Sequence, residues 1–314
     1  MIKEKLGKGE VNDTYLVKSE DGTPAYVLQR INTVAFRNPQ KLMDNILKVT
    51  SYIKSCGGET VNFIPFPDGQ YIREDFEGTW RMMEYIPSYS TDSTEDSTLI
   101  EGAAHAFGDF LQNIQGFDED LYETIPQFHN TEKRIEDCLN AAEINFENRS
   151  DNALKLIHAI EQRKNEIINN YHTLLSSGPT RITHNDTKIS NVLFDKDTHK
   201  PICIVDLDTV MMGMTLYDFG DAARSLVHKK TSGGLSFNES IYEFFENAYL
   251  SKTKDILTKD ERANLRLATQ TISIELGTRY LEDYLSGNKY FNFRDPKETL
   301  RKADALLTCT LKLY

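Results

Sequence analysis

Residues 184–191 read His-Asn-Asp-Thr-Lys-Ile-Ser-Asn, which has the form H-x-D-x-x-x-x-N. Two short apolar runs follow, Val192–Asp195 and Pro201–Asp208, and their spacing predicts a β-hairpin. The second run ends in Asp206-Leu207-Asp208. An H-x-D triplet alone occurs in many loops, but here the triplet, the asparagine, the hairpin and the Asp-x-Asp run follow one another within 25 residues. The combination therefore indicates one chemical site.

The order of these residues is that of the catalytic segment of eukaryotic-type kinases. In phosphoryl transfer, one carboxylate orients and deprotonates the acceptor hydroxyl, while an amide and a second carboxylate hold Mg²⁺ against the nucleotide phosphates. Asp186 suits the first role, and Asn191 and Asp206 suit the second. Lys188 is either a surface lysine or, as we expect, a cation that reaches the transferring phosphoryl group. We expect the ring of His184 to support the loop by hydrogen bonding.

The chain around this segment divides into two parts. Residues 1–86 are predicted to be β-rich, with strands at Val11–Val17, Ala25–Ile31, Phe63–Phe66 and Trp80–Ile86 and a helix at Pro39–Cys56. Residues 87–314 are predicted to be mainly helical, with helices at Leu99–Ile114, Asn152–Leu175, Asn238–Leu250, Lys259–Leu285 and Lys297–Leu313. The polar tract Pro87–Thr98 joins them. We therefore expect an α+β, two-lobed protein-kinase-like fold, in which a small antiparallel-sheet N-terminal lobe binds nucleotide and a larger helical C-terminal lobe carries catalysis and substrate binding.

The charge of the chain limits its partners. The 314 residues carry a formal charge of −12, which disfavours general binding to nucleic acid or to an anionic membrane surface. Residues 87–149 hold 14 acidic and 3 basic residues, so this one stretch accounts for −11. A solvated helical face is the ordinary explanation, and an acidic binding surface is the alternative.

The cysteines and the apolar runs indicate a cytoplasmic protein. None of the four cysteines has a partner at metal-clip or Cys-x-x-Cys spacing, so free thiols are expected. No apolar run approaches the roughly 20 residues that span a bilayer. The N-terminus is too charged for a signal peptide. The oligomeric state is left open.

Several segments carry a resemblance to a known family. The more specific runs are His184–Lys188, within Thr183–Lys188, and Asp206–Thr209, within Ile204–Met211. Weaker support comes from Tyr217–Asp221, Leu28–Thr33, Ala106–Phe110, Phe128–Thr131 and Gly277–Leu285. Together they resemble the aminoglycoside phosphotransferase and choline kinase superfamily, and within it most closely the N-acetylhexosamine 1-kinases. The likeness extends over most of the chain.

The resemblance implies ATP and Mg²⁺ as cofactors and a small sugar as substrate. The γ-phosphate would pass to the anomeric C1 hydroxyl of GlcNAc or GalNAc and give a sugar 1-phosphate. Asp186 would be the base, and Asn191 and Asp206 would hold the metal. Asp208 would contact either metal or sugar.

The nucleotide site of the N-terminal part agrees only partly with a kinase. Gly7, Gly9 and Asn12 belong to a turn whose backbone N–H groups can bind phosphates, but an ordinary β-turn fits equally well. A kinase places a lysine on the second strand, whereas this chain has Gln29-Arg30 there. These two side chains point to opposite faces, so only one can face the nucleotide. The first strand and a helix before it are expected to be shortened or absent.

The sequence gives the least evidence for the residues that contact adenine and sugar. Glu84 and Ile86 are expected to form the hinge backbone, and the adenine pocket is expected to be lined by Trp80, Met82 and Met83. Any apolar strand would show the same sequence pattern. The resembling segments offer these further candidates for the sugar: Asp221, Arg224, Glu275, Arg279 and Tyr290. Glu275 and Arg279 are four residues apart on a predicted helix, so a helix-stabilising ion pair explains them equally well.

Two rival functions stay open at this stage. The first is a kinase for another small hydroxyl acceptor, namely an aminoglycoside, choline or homoserine, and the acidic stretch could serve a cationic acceptor. The second is a catalytically silent nucleotide-binding regulator, which the missing strand lysine favours and the intact Asp186, Asn191 and Asp206 oppose.

Overall fold

The computed structural model describes residues 2–6, 11–231, 234–291, 293, 295 and 297–312. The N-terminal part is built on an antiparallel sheet with the strand order β1-β2-β3-β6-β4, and β5 pairs with β6. Its strands are β1 (Ile2–Lys5), β2 (Asp13–Lys18), β3 (Pro24–Ile31), β4 (Phe63–Ile64), β5 (Arg73–Asp75) and β6 (Gly78–Glu84). The helix α1 (Pro39–Ser55) lies between β3 and β4 in the chain.

The rest of the chain is helical apart from three short two-stranded sheets. The helices are α2 (Ser97–Asn113), α3 (Thr131–Ile144), α4 (Ser150–Ser176), α5 (Thr215–Val227), α6 (Glu239–Thr253), α7 (Lys259–Ala263), α8 (Leu265–Leu285) and α9 (Lys297–Thr310). The strand pairs are β7 (Thr180–Thr183) with β10 (Met211–Met214), β8 (Val192–Phe194) with β9 (Pro201–Ile204), and β11 (His228–Thr231) with β12 (Gly234–Phe237). The predicted boundary at residue 86 falls between β6 and α2.

Helix α1 has clear start and stop signals in the sequence. Asn38 caps its first turn by accepting a hydrogen bond from the backbone N–H of Lys41, and Pro39 suits the first helical position. Gly57, at φ +80°, ends the helix, and the next N–H returns to the carbonyl of Ile53. The buried face of α1 also carries Asn45, whose amide donates to the carbonyls of Tyr122 and Val210 at 2.7 and 3.0 Å. This helix therefore ties the sheet to the segment that follows Asp208.

The apolar core has two parts that meet at α8. The larger cluster joins α1, α2, α5 and α6 around buried aromatic side chains such as Phe219 and Phe245. The smaller cluster joins α3, α4, the second half of α8 and α9. Helices α5 and α8 run close together because Gly220 has no side chain: a Cβ there would lie 2.8 Å from the backbone of Ala268. The helix that carries Asp218 and Asp221 is thereby fixed against the core.

The first strand, expected to be shortened or absent, is present as β1, a strand of four residues that pairs with β2. The secondary structure differs from the sequence prediction at several points. The long helix expected at Lys259–Leu285 is two helices, because the backbone of Asn264 leaves helical geometry at φ −110° and ψ 12°. Helix α3 was not predicted, since its apolar face is short. Strands β7 and β10 were missed too, since they are four residues each and pair across about 30 residues of chain.

The acidic stretch at residues 87–149 is a solvated surface. Eleven of its 14 acidic side chains are exposed and none is buried. This confirms the ordinary explanation of the charge. Within the described residues, no helix combines the length and the apolar character needed to cross a membrane.

Candidate active site

The loop after β7 is held in place by a buried carboxylate. Asp218 of α5 accepts hydrogen bonds from the backbone N–H groups of His184 and Asn185 at 2.8 and 2.7 Å. Asn185 adopts a left-handed backbone at φ +63°, which asparagine tolerates better than most residues. Burial raises the pKa of Asp218 to about 7, although the two N–H groups act in the opposite direction. These two hydrogen bonds from the loop backbone to α5 therefore fix the loop conformation.

His184 has the supporting role predicted for it. Its ring is fully buried and packs edge-on against Phe107 and Phe110 of α2. Its Nε2 lies 3.1 Å from the carbonyl of Val205, and its Nδ1 accepts from the backbone N–H of Asp186 at 3.3 Å. Since Nδ1 accepts, the neutral ring carries its proton on Nε2, and burial lowers the pKa of His184. The ring thus joins the Asp186 loop to the end of β9.

Asp186 stands at the centre of a small polar cluster. Lys188 Nζ donates to its Oδ2 at 2.9 Å, and the amide of Asn191 donates to the same oxygen at 3.0 Å and to the Asp186 carbonyl at 2.7 Å. Burial alone would raise the pKa of Asp186, but the Lys188 charge and these hydrogen bonds lower it to about 2. The carboxylate is therefore ionised at neutral pH, and about a quarter of its side-chain surface is open to solvent.

Asp206 follows β9 in a left-handed conformation at φ +65°. Burial and the carboxylates of Asp208 and Asp186 raise its pKa to about 7, although Lys188 and Arg81 act in the opposite direction. Among the described residues, none donates a hydrogen bond to the Asp206 carboxylate. A buried carboxylate near two other carboxylates is unfavourable as an isolated negative charge. A bound cation would stabilise its charged form.

The donor set around Asp206 fits a metal shared with a ligand. The described residues hold no cluster of three or more His, Cys, Asp or Glu side chains arranged for a metal ion. Mg²⁺ is commonly bound by one or two carboxylates together with substrate phosphates. Asp206 and the amide oxygen of Asn191, whose nitrogen is turned toward Asp186, supply this smaller set.

Asp208 lies in a buried ion pair. Its Oδ1 is 2.5 Å from Nη2 of Arg81 on β6, and its Oδ2 accepts from the amide of Asn12 at 2.7 Å. The side chains of Arg81 and Asp208 are each 2% exposed. Nε and Nη2 of Arg81 also donate to Gln29 Oε1 at 2.9 and 2.6 Å. The assignment of Asp208 to metal or sugar stays a prediction, and the contacts made by Asp208 run to the N-terminal sheet.

The sheet presents Gln29 and Arg30 to different faces. Gln29 shares the face of Arg81, its cross-strand neighbour, whereas Arg30 bonds to Asp13 on the opposite face and is 44% exposed at its side chain. Of the residues expected to wall the adenine, Met83 lies on the Arg81 face, whereas Trp80 and Met82 lie on the other. Trp80 packs there against Tyr15 and under Lys3. Glu84 ends β6, Ile86 follows it, and Gly7 and Gly9 lie outside the described residues.

The residues predicted to bind sugar fall into two neighbouring groups. Asp221 and Arg224 form an ion pair on α5, at 2.5 Å, and Arg224 lies within electrostatic reach of Asp186 and Tyr280. Arg279 and Tyr290 line a pocket between α3 and α8. The other lining residues are Ile125, Phe128, Arg134, Asp137, Glu282 and Phe291. The rings of Tyr280 and Phe291 pack against each other in a tilted arrangement, with their centres 4.5 Å apart, and so connect the two groups.

Glu275 lies behind this pocket and does not pair with Arg279. It is fully buried and accepts hydrogen bonds from Thr131 and His129, both at 2.7 Å. The other ring nitrogen of His129 lies 2.9 Å from the carbonyl of Asn185. Both nitrogens therefore face acceptors, which a neutral imidazole with one N–H cannot satisfy. Burial favours the neutral ring, but Glu275 raises the pKa of His129, so the pair is a buried imidazolium and carboxylate beside the Asp186 loop.

Glu275→Gln should remove the charge that keeps His129 protonated. We expect the pKa of His129 to fall and the protein to lose about 3 kcal/mol of stability, because one partner of a buried ion pair is removed. In the wild type, the raised pKa gives stability that is complete below about pH 6.5 and is lost as the pH rises through the folded value. NMR titration of the imidazole and denaturant unfolding at pH 6 and 8 measure both effects. A variant with an unchanged His129 titration would contradict the assignment.

Sequence reasoning missed Arg81 and His129 as site residues. Arg81 is a charged residue between the apolar Trp80 and Met82, and that interruption was the available signal. His129 was noted only as part of a resembling segment. Its contacts to α8 and to the Asp186 loop span 146 and 56 residues of chain, which no local pattern reveals.

Comparisons with known proteins identify the family of the chain and structures that share its fold. The sequence model described as "Phosphotransferase enzyme family" matches residues 4–255. An amicoumacin kinase in complex with AMP-PNP, Ca²⁺ and Ami superposes with a TM-score of 0.64 at 15% identity, covering 98% of this chain and 88% of that one. An ethanolamine kinase from Plasmodium vivax gives a TM-score of 0.60 at 14% identity, with 98% and 82% covered.

A streptomycin–ATP ternary complex of APH(2″)-IIa gives a TM-score of 0.55 at 13% identity, with 100% of this chain and 93% of that chain covered. At these identities the likeness concerns the fold, and it confirms the predicted two-part architecture of an antiparallel-sheet N-terminal region and a helical C-terminal part. The family match covers far more than half of the sequence. The chain belongs to the phosphotransferase enzyme family.

Proposed function

We propose that this chain is an ATP-dependent kinase that phosphorylates the anomeric C1 hydroxyl of an N-acetylhexosamine, GlcNAc or GalNAc. The observation that carries the proposal is the cluster around Asp186. An ionised, partly exposed carboxylate is fixed by Lys188 and Asn191, and it lies within electrostatic reach of Asp206. This arrangement suits the transfer of a phosphoryl group to a hydroxyl.

Asp186 would accept a hydrogen bond from the sugar hydroxyl and take its proton as the sugar oxygen bonds to the γ-phosphorus of ATP. The bond from that phosphorus to the β,γ-bridging oxygen would break in the same step, with ADP as the leaving group. A carboxylate with a pKa of about 2 is a weak base, so its first contribution is to orient the hydroxyl. Lys188 holds Asp186 before the substrates bind. When its ammonium turns toward the transferring group, it can stabilise the charge there, and the pKa of Asp186 then rises toward its ordinary value.

A divalent cation, Mg²⁺ in our proposal, would be held by Asp206 and by the amide oxygen of Asn191. When bound, it neutralises charge on the nucleotide phosphates. Glu84 and Ile86, at the end of β6, are the proposed hinge for the adenine. Asn12, together with Gly7 and Gly9 from outside the described residues, is proposed to contact the phosphates.

The charges near the acceptor pocket favour a neutral sugar over a cationic acceptor. Arg279 lies over the rings of Phe128 and Tyr290, at 4.6 and 5.7 Å from their centres. A quaternary ammonium would need such aromatic faces for itself. Arg134 adds a further positive charge to the pocket lining, while Asp137 and Glu282 supply acceptors for sugar hydroxyls. Of the acidic side chains in the stretch 87–149, Asp137 is the one that lines this pocket within the described residues.

Acceptor profiling with ATP and Mg²⁺ tests the substrate assignment. We expect turnover with GlcNAc and GalNAc, and ³¹P NMR of the product should show an anomeric phosphate that has lost the reducing end. Galactose and glucose serve as matched controls that lack the N-acetyl group. Turnover with choline, homoserine or an aminoglycoside, but with neither N-acetylhexosamine, would overturn the assignment. ATP binding without transfer to any of these acceptors would favour a silent nucleotide-binding regulator.

A further inference from the structure

The sheet lacks a lysine where kinases carry one, but it holds a buried arginine next to that position. β3 has the neutral Gln29 at the expected lysine position. In the antiparallel register of β3 and β6, Gln29 lies directly opposite Arg81. Cross-strand partners project to the same face of a sheet. Arg81 of β6 therefore places a positive charge on the face of the sheet where a lysine of β3 would lie.

The guanidinium of Arg81 has unused hydrogen-bonding capacity. Arg81 is 1% exposed, and its Nε and Nη2 are engaged by Gln29 and Asp208. Its Nη1 has no hydrogen-bond acceptor among the described residues. A buried donor without a partner destabilises the protein, and more so when it is charged. The arrangement is thus poised to accept a further oxygen ligand at Nη1.

The position of Arg81 indicates which ligand would supply that oxygen. Asp208, its ion-pair partner, lies two residues after Asp206, the proposed cation ligand. Phosphate oxygens that share a cation with Asp206 would therefore lie beside the guanidinium. The planar fork of an arginine can bind a carboxylate on one edge and a phosphate on another.

We infer that Arg81 binds the phosphate chain of the nucleotide and replaces the missing strand lysine, with Gln29 and Asp208 as positioning residues. The inference rests on the proposed kinase function. The competing explanation is a purely structural ion pair that joins the sheet to the segment after β9. If the ion pair were purely structural, loss of Arg81 would change the affinity for nucleotides and nucleosides equally. If Arg81 binds phosphate, its loss would weaken the binding only of molecules that carry phosphate.

Isothermal titration of the full chain with ATP and with adenosine, each with Mg²⁺, separates the two explanations. In Arg81→Met, we expect ATP affinity to fall at least tenfold and adenosine affinity to change less than twofold. The matched control is Arg73→Met, which removes an exposed arginine from β5 of the same sheet and should change neither affinity.

Moving the cation back to β3 supplies a second test. In the double variant Gln29→Lys with Arg81→Met, we expect ATP affinity to recover at least threefold over Arg81→Met, because the ammonium starts from the cross-strand position. If circular dichroism shows that Arg81→Met is unfolded, Arg81→Gln with Asp208→Asn takes its place. That pair removes both charges of the ion pair together and is judged by the same criteria.

The outcomes distinguish the inference from the proposed function. Unchanged ATP affinity in the folded variant, or an equal loss for ATP and adenosine, would overturn the role of Arg81 and leave the kinase proposal intact. A wild-type chain that does not bind ATP would overturn the kinase proposal itself. A selective loss for ATP with recovery by the strand lysine supports the inference.

Discussion

Asp186→Asn should reduce kcat by about 10³-fold or more and leave ATP affinity within twofold of the wild type. The amide keeps the size of the side chain and can still contact Lys188 and Asn191, but it can neither take the hydroxyl proton nor carry negative charge. The bond from Asn191 to the Asp186 carbonyl is retained, so the loop should keep its shape. Initial rates with the best acceptor and an ATP titration measure the two quantities.

The matched control for this substitution is Asp197→Asn in the turn between β8 and β9. Asp197 is exposed, and its backbone N–H donates to the carboxylate of Asp195, which does not belong to the Asp186 cluster. We expect full activity in the control. If Asp186→Asn kept the wild-type rate, or if it lost ATP affinity in proportion to activity, Asp186 would not be the group that acts on the acceptor hydroxyl.

The catalytic segment could be predicted from sequence because its parts are close in the chain. Residues 184–191 and the following hairpin form one local unit, so spacing alone determined which side chains would meet. The supporting role of His184 followed for the same reason, since its partners Asp186 and Val205 lie 2 and 21 residues away. The α+β class followed from hydrophobic periodicity.

The contacts between the sheet and the helical part could not be predicted in this way. The Asn12–Asp208 bond joins residues 196 positions apart. The pairing of Gln29 with Arg81 depends on strand register, which is set by side-chain packing on both faces. The same register decides that Trp80 faces away from Arg81. From sequence alone, either Gln29 or Arg30 could face the nucleotide. The strand register of the structure places only Gln29 on the same face as Arg81.

The second large effect is expected at Asp206, because its environment is unfavourable for an isolated charge. Burial and the carboxylates of Asp208 and Asp186 raise its pKa to about 7. Below that value the carboxyl is protonated, so a cation must displace a proton in order to bind. Apparent Mg²⁺ affinity should therefore weaken as the pH falls from 8 to 6, approaching tenfold for each pH unit below the pKa.

Asp206→Asn should remove both the cation affinity and its pH dependence. We expect kcat/KM for ATP to fall by about 10²–10³-fold at 5 mM Mg²⁺, as reported for the loss of a strong electrostatic contributor in other active sites. Raising Mg²⁺ should recover part of the activity, since an amide oxygen is a weaker but competent ligand. Asp255→Asn, at an exposed position before α7, is the control and should keep the wild-type Mg²⁺ and pH profiles. If Asp206→Asn kept the wild-type Mg²⁺ dependence, the cation would be held elsewhere, because this substitution removes the negative charge of Asp206 and keeps the size of its side chain.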